Sequence, residues 1–157
     1  MSLPTPGETH SVRRTFTAED VERFTALSGD DQSIHTEPDE AGRYVVHGLL
    51  TATLPTVVGG DLDVLASHMA FDFHRPVYTG ETVRCDWETT AVEPRDDATG
   101  AGSDTETASR AEITAEVTCV RVADGDESES ATSDHGSGTD GGETVLTGRV
   151  EGVVSAE

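Results

Sequence analysis

The sequence predicts an α+β domain in which a curved antiparallel sheet wraps around one central, buried helix. Three observations carry that expectation. A segment from Leu49 to Val58 is apolar nearly all round, so as a helix it has no face to offer water. Segments from Met69 to the C-terminus alternate apolar and polar residues with period two, the pattern of strands with one face on a core and one in solvent. A single amphipathic helix with its own start and stop signals precedes both. Wrapping the half-buried sheet around the apolar helix is the economical way to satisfy all three.

In chain order, His10 to Phe16 reads as a short strand. Thr17 and Asp20 then have the spacing of a capping box, with Val21, Phe24 and Leu27 recurring at helical intervals behind them. Gly29 is suited to end that helix in a left-handed conformation. From Asp30 to Tyr44 the chain is polar, with a turn expected around Glu37-Pro38-Asp39. The central helix follows; Pro55 removes one backbone donor and predicts a kink, and Gly59 and Gly60 predict its end. Met69, Phe71 and Phe73 form the first strand pattern, Val83, Cys85, Trp87 and Thr89 the second after a turn at Thr79-Gly80. Ile113, Ala115, Val117 and Cys119 form the third, and Val145 to Val154 closes the series.

A chain of 157 residues is read as a single domain, residues 1–157. Its hydrophobic fraction is only 34%, and two acidic low-complexity stretches, 93–109 and 123–142, read as solvated loops. The remaining core is small enough that self-association is expected to support it. Net charge is −21, and all 10 basic residues are arginines. Acidic residues punctuate the periodic segments throughout, so the charge belongs to a folded surface. Such a composition resembles that of proteins of salt-loving archaea. In molar salt the Debye length falls to about 3 Å, which screens the mutual repulsion of the carboxylates.

The same charge, without a basic patch, excludes a nucleic-acid partner. No apolar run is long enough to span a membrane, and the start MSLPTPGETH lacks the features of a signal peptide, so a cytoplasmic location is expected. Cys85 and Cys119 lack metal-ligand or disulfide spacing and are expected to be reduced and buried. His68 and His74 lack a third ligand at a convincing spacing, and no metal site is expected.

The chemistry concentrates between Ser28 and Gly48, SGDDQSIHTEPDEAGRYVVHG. Asp30 and His35 would stand more than about 15 Å apart in an extended chain, so they meet only if the turn folds back. On spacing alone a solvated turn with an ordinary histidine is the better reading. Gly48 changes this: a residue without a side chain opens a buried helix whose first amides lack intrahelical partners. A developing oxyanion can approach such amides, at about 2.7–4 kcal/mol per donor.

The run SGDDQSIH followed by YVVHGLL resembles the motif of MaoC-like, (R)-specific enoyl-CoA hydratases, S-G-D-x-N-P-[IL]-H and then V-H-G-[ML]. FTAEDVERFTALSGD is similar to that family's entry helix, and MAFDFHRPVYTGETVRCDWETTAVE to its F-x-x-P-V-x-x-G-[DE]-x-[IV] strand pair; the resemblance covers residues 8–92. It implies a hot-dog fold and reversible hydration of a trans-2-enoyl-CoA to a 3-hydroxyacyl-CoA, with the (R) product. It assigns acid–base catalysis to Asp30 and His35, and it sets Gly48, Thr53 and His47 on the oxyanion and substrate side. His47 by itself reads more readily as fixing the loop that enters the helix. The coenzyme A thioester is the substrate, no cofactor is implied, and a homodimer is. Gln32 and Ser33 replace the usual Asn-Pro, which is expected to loosen the turn holding Asp30. Arg43, Arg75 and Arg84 are candidates for the coenzyme A phosphates or for ion pairs with nearby carboxylates. Two other activities remain open: an acyl-CoA thioesterase, and a non-catalytic module that binds acyl-CoA.

Overall fold

The computed structural model describes residues 2–95, 109–123 and 142–156, so most of both acidic stretches lies outside the described residues. In chain order the elements are β1 (Thr9–Thr15), α1 (Ala18–Ser28), α2 (Ser33–Thr36), β2 (Val45–Val46), α3 (Gly48–Thr51) and α4 (Thr53–Asp61). Then come β3 (Leu65–Phe73), β4 (Val77–Tyr78), β5 (Thr82–Arg95), β6 (Ser109–Val122) and β7 (Glu143–Ala156). Five strands form one antiparallel sheet in the order β1-β5-β6-β7-β3, and β2 pairs with β4 in a separate two-stranded ribbon.

The alternation in the sequence becomes burial on one face of the sheet. Val83, Cys85, Trp87 and Thr89 of β5 are buried, as are Ala111, Ile113, Ala115, Val117 and Cys119 of β6 and Leu146, Val150 and Val154 of β7. Against this face α4 buries Leu54, Pro55, Val58 and Gly59. A Cβ added at Gly59 would meet the Trp87 ring at 3.9 Å, an ordinary van der Waals contact, so the approach of helix to sheet there does not depend on glycine. Cys85 and Cys119 are buried free thiols, directly opposite each other in register. The facing thiol and burial together push the Cys85 thiol well above its ordinary pKa.

Local signals account for α1. Thr17 accepts from the Asp20 amide at 3.1 Å while Asp20 accepts from the Thr17 amide at 3.0 Å, the reciprocal capping box. Gly29 takes φ 78° and closes the helix onto Thr25 O. Of the two caps, the N-cap contributes about 1 kcal/mol. Their structural consequence is to deliver Asp30 at a fixed point in space.

Three expectations need correction. The central helix is not one rod from Leu49 to Val58 but α3 and α4, interrupted at Ala52, whose ψ is −6°. Pro55 explains this, because its ring crowds the carbonyl four residues back, at Thr51, and it cannot donate there. Gly59 and Gly60 do not stop the helix, which runs to Asp61 and ends with Asp63 at φ 55°. The loop from Asp30 to Tyr44 contains the single helical turn α2, and its reversal is built on Asp39, whose Oδ1 accepts from the Ala41 and Arg43 amides at 2.9 and 2.8 Å.

The first strand pattern also behaves differently from the others. β3 begins at Leu65 and lies at the edge of the sheet, where Leu65, Met69 and Phe73 are 78, 43 and 53% exposed. Alternation there marks an uncovered apolar row, with Phe71 alone of the aromatic pair packed on the core.

Candidate active site

Asp30 follows the left-handed Gly29, and its carboxylate is oriented by the next turn: Gln32 Nε2 donates to Asp30 Oδ1 at 2.8 Å. That contact is the main reason the Asp30 carboxyl sits below its usual pKa, and it leaves Asp30 ionised near neutrality. The substitution expected to loosen the turn therefore supplies a side chain that holds it. The signal was present in the sequence, because glutamine keeps the amide of the asparagine it replaces and only moves it one methylene further out.

Helix α2 carries His35 inward until the residue is 7% exposed. Its Nδ1 lies 2.6 Å from the Val45 carbonyl oxygen. A carbonyl only accepts, so Nδ1 carries the proton and the neutral ring presents a lone pair at Nε2. That Nε2 stands 3.7 Å from Asp30 Oδ2. The chain thus folds back as the acid–base reading requires.

His47 lies beneath this pair. Its ring stacks on His35 with centroids 3.7 Å apart and planes 16° from parallel, and its other neighbour is the Phe24 edge at 4.8 Å. Its Nε2 donates to the Asp30 carbonyl oxygen at 3.0 Å, with Thr25 Oγ1 at 3.3 Å. Burial holds His47 below the ordinary histidine pKa.

Gly48 is the first residue of α3, where backbone amides have no intrahelical acceptor. A Cβ added there would lie 2.8 Å from the Phe73 ring, so only glycine fits without displacing the ring. Asp30, His35, His47 and Gly48 all line one cavity of about 650 Å³, which Phe73 and Arg75 also border.

Thr53 is not among the residues lining that cavity; its hydroxyl donates to Leu50 O at 2.6 Å and caps the interruption in the central helix. Thr51 lines the cavity instead, its hydroxyl directed to His47 O at 3.4 Å. The candidate phosphate ligands are ion-paired: Arg43 with Asp39 at 2.9 Å, Arg75 with Glu143 at 2.6 Å, and Arg84 with Asp86 at 3.1 Å. Of the three, Arg75 borders the cavity. His74 donates to or accepts from Thr147 Oγ1 at 2.7 Å, and it too lines the cavity.

Asp30, His35 and His47 each bring a ligand atom within 4.8 Å of the others. Their donor chemistry does not suit a cation. Nε2 of His47 bears a proton, and its lone pair, at Nδ1, is sealed inside the protein without a partner.

Residues 4–112 match the family model described as a MaoC like domain.

The chain belongs to the MaoC-like family. This MaoC-like chain has no match among the curated proteins. Solved structures share its architecture. The R-hydratase PhaJ1 from Pseudomonas aeruginosa aligns at TM-score 0.65 and 16% identity, covering 98% of this chain and 83% of that one. The (R)-hydratase from A. caviae involved in PHA biosynthesis aligns at 0.61 and 23%, covering 98% of both chains. Protein af1124 from Archaeoglobus fulgidus aligns at 0.63 and 21%, covering 99% and 81%. At such identities the likeness is one of fold, and the fold is the hot-dog. The MaoC-like match ends within β6, so the last two strands rest on the structural likeness.

Proposed function

We propose that this protein adds water reversibly to a trans-2-enoyl-CoA, giving a 3-hydroxyacyl-CoA. The observation that carries the reading is the meeting of Asp30 Oδ2 and His35 Nε2 across 3.7 Å, in the cavity that the first residue of α3 also lines. Both atoms are acceptors, so one water can donate a hydrogen to each and turn its oxygen toward the cavity. Its oxygen attacks C3 as the C2–C3 π bond opens. One O–H bond of the water breaks toward His35 or Asp30, and a proton from the pair is delivered to C2. The thioester oxygen takes up the enolate charge within reach of the Gly48 amide, and the charge returns as C2 is protonated. Water oxygen and proton come from the same side, and membership of the MaoC-like family together with the fold shared with two (R)-hydratases supports the (R) product.

The reaction balances with water and thioester alone, so no cofactor is invoked. Catalysis is assigned to Asp30 and His35 and the oxyanion contact to Gly48, while Thr53 takes a structural role in the break of the central helix. A homodimer joined along the exposed β3 edge is part of the same proposal, since that edge exposes Leu65, Met69 and Phe73, the last of which borders the cavity. Hot-dog thioesterases usually place a carboxylate on or next to the central helix, and α3 and α4 carry none before Asp61. The Gln32 contact weighs against a non-catalytic module, because it orients the carboxylate that such a module would not need. Incubation with crotonyl-CoA in high salt, following loss of the conjugated thioester absorbance, tests the proposal. Free thiol release without hydration would select the thioesterase, and tight acyl-CoA binding without turnover the module.

A further inference from the structure

We propose that His47 is a positioning residue for the Asp30–His35 pair, a neutral imidazole that holds both partners at once. The inference rests on the hydratase reading but goes beyond it, since His47 touches neither water nor thioester in that scheme.

Two separate contacts carry the argument. The face of His47 supports the His35 ring at a centroid distance of 3.7 Å. The edge of His47, through Nε2–H, ties down the backbone of Asp30 at 3.0 Å. One side chain, from beyond the far end of the polar loop, therefore fixes the separation between a carboxylate and an imidazole that both lie near the loop's start. Phenylalanine could supply the flat face and glutamine the N–H; of the two functions, histidine supplies both.

The tautomer follows from the same contacts. With the proton on Nε2, the lone pair is at Nδ1, which is buried and has no hydrogen-bond partner. A second proton there would be a buried donor with nothing to accept it, which costs far more than an idle lone pair. A cation at His47 would also face any imidazolium at His35 across the stack. His47 therefore stays neutral.

The groups around His35 are Asp30 and His47, Glu22 and Tyr44 along an adjoining groove of about 240 Å³, and His74 and Arg75 across the main cavity. Arg75 is already paired with Glu143. Among the described residues, Asp30 is the carboxylate within ion-pair reach of His35 Nε2. Releasing the Asp30 backbone therefore withdraws the negative charge that favours protonation of His35.

The test compares wild type, His47→Phe and His47→Gln by the pH dependence of kcat/KM. His47→Phe keeps the stack and loses the tether. Its kcat falls about 10²-fold, the cost of a misplacement near 1 Å, with KM little changed. The acid limb moves to lower pH. His47→Gln keeps the tether, so its acid limb stays where wild type has it. Equal limbs in all three proteins, or full activity in His47→Phe, would overturn the proposal. Should His47→Phe not fold, ring-nitrogen NMR of the wild type decides: His47 is expected as the neutral Nε2–H form at pH 7. A protonated ring or the Nδ1–H form would overturn it. The NMR readings need no turnover, so they judge His47 even if wild type hydrates no enoyl-CoA, a result that would sink the functional proposal instead.

Discussion

Asp30 Oδ2 and His35 Nε2 stand 3.7 Å apart, too far for a direct hydrogen bond and close enough for a single water to bond to both. The gap is fixed from several sides. Gln32 holds the far oxygen of Asp30, Val45 holds the far nitrogen of His35, and the second oxygen and nitrogen are left to face the cavity. Of these constraints, the Gln32 amide can be removed by substitution, whereas Val45 acts through its backbone carbonyl.

Gln32→Leu removes the amide that chiefly lowers the Asp30 pKa, so the carboxyl should titrate closer to its ordinary value. The sign follows from linkage. A folded-state pKa below the unfolded one contributes stability that is present above the unfolded value and lost as pH falls through the folded one. The variant should therefore show a weaker loss of stability in that acid window. Carboxyl-carbon NMR titration checks it; an unchanged Asp30 midpoint means the amide does not hold the carboxylate.

Gly48→Ala drives a methyl group into the Phe73 ring, 2.8 Å away. The Phe73 ring is 53% exposed and can swing aside, so the cost in stability is small, but its displacement disturbs the cavity wall. Thermal unfolding should show a slightly lower Tm and the enoyl-CoA assay a lower kcat. Adding Phe73→Leu should recover part of both. A single variant as stable and active as wild type would remove the steric account of this glycine.

Met69 lies on the exposed edge strand and not among the cavity-lining residues. Met69→Glu puts a charge in the row proposed to join two copies, and light scattering should then report a monomer where wild type is a dimer. A monomeric wild type would contradict the proposed interface.

With a net charge of −21, the fold is expected to loosen as salt is withdrawn. Circular dichroism over a salt titration should show structure lost toward low ionic strength. Full structure without added salt means that hydrophobic burial alone outweighs the carboxylate repulsion.

Much of this was legible in the sequence because the signals were local or periodic. Thr17, Asp20 and Gly29 declare the caps of α1, and the alternation around Cys85 and Cys119 declares the paired strands β5 and β6. What escaped depended on tertiary neighbours. The period-two run at Met69 to Phe73 has the same appearance whether its apolar face meets a core or an open edge. Gly59 and Gly60 read as a stop, yet α4 continues through both to Asp61, with Gly59 buried against the sheet. In the site, Asp30, His35 and Gly48 could be named from their residue types and order. Phe73, which lies against Gly48, comes from a strand much further along the chain, and no spacing rule connects them. The stack of His47 on His35 was equally invisible, since two histidines separated by a polar loop show no periodicity.

The most direct measurement of the central claim is hydration of crotonyl-CoA by wild type, Asp30→Asn and His35→Ala, followed at the conjugated thioester absorbance in high salt. Wild type should consume the substrate, and each substitution should lower kcat by about 10²–10⁴-fold while the protein stays folded and binds acyl-CoA. Wild type inert toward every enoyl-CoA, or variants as fast as wild type, would contradict it.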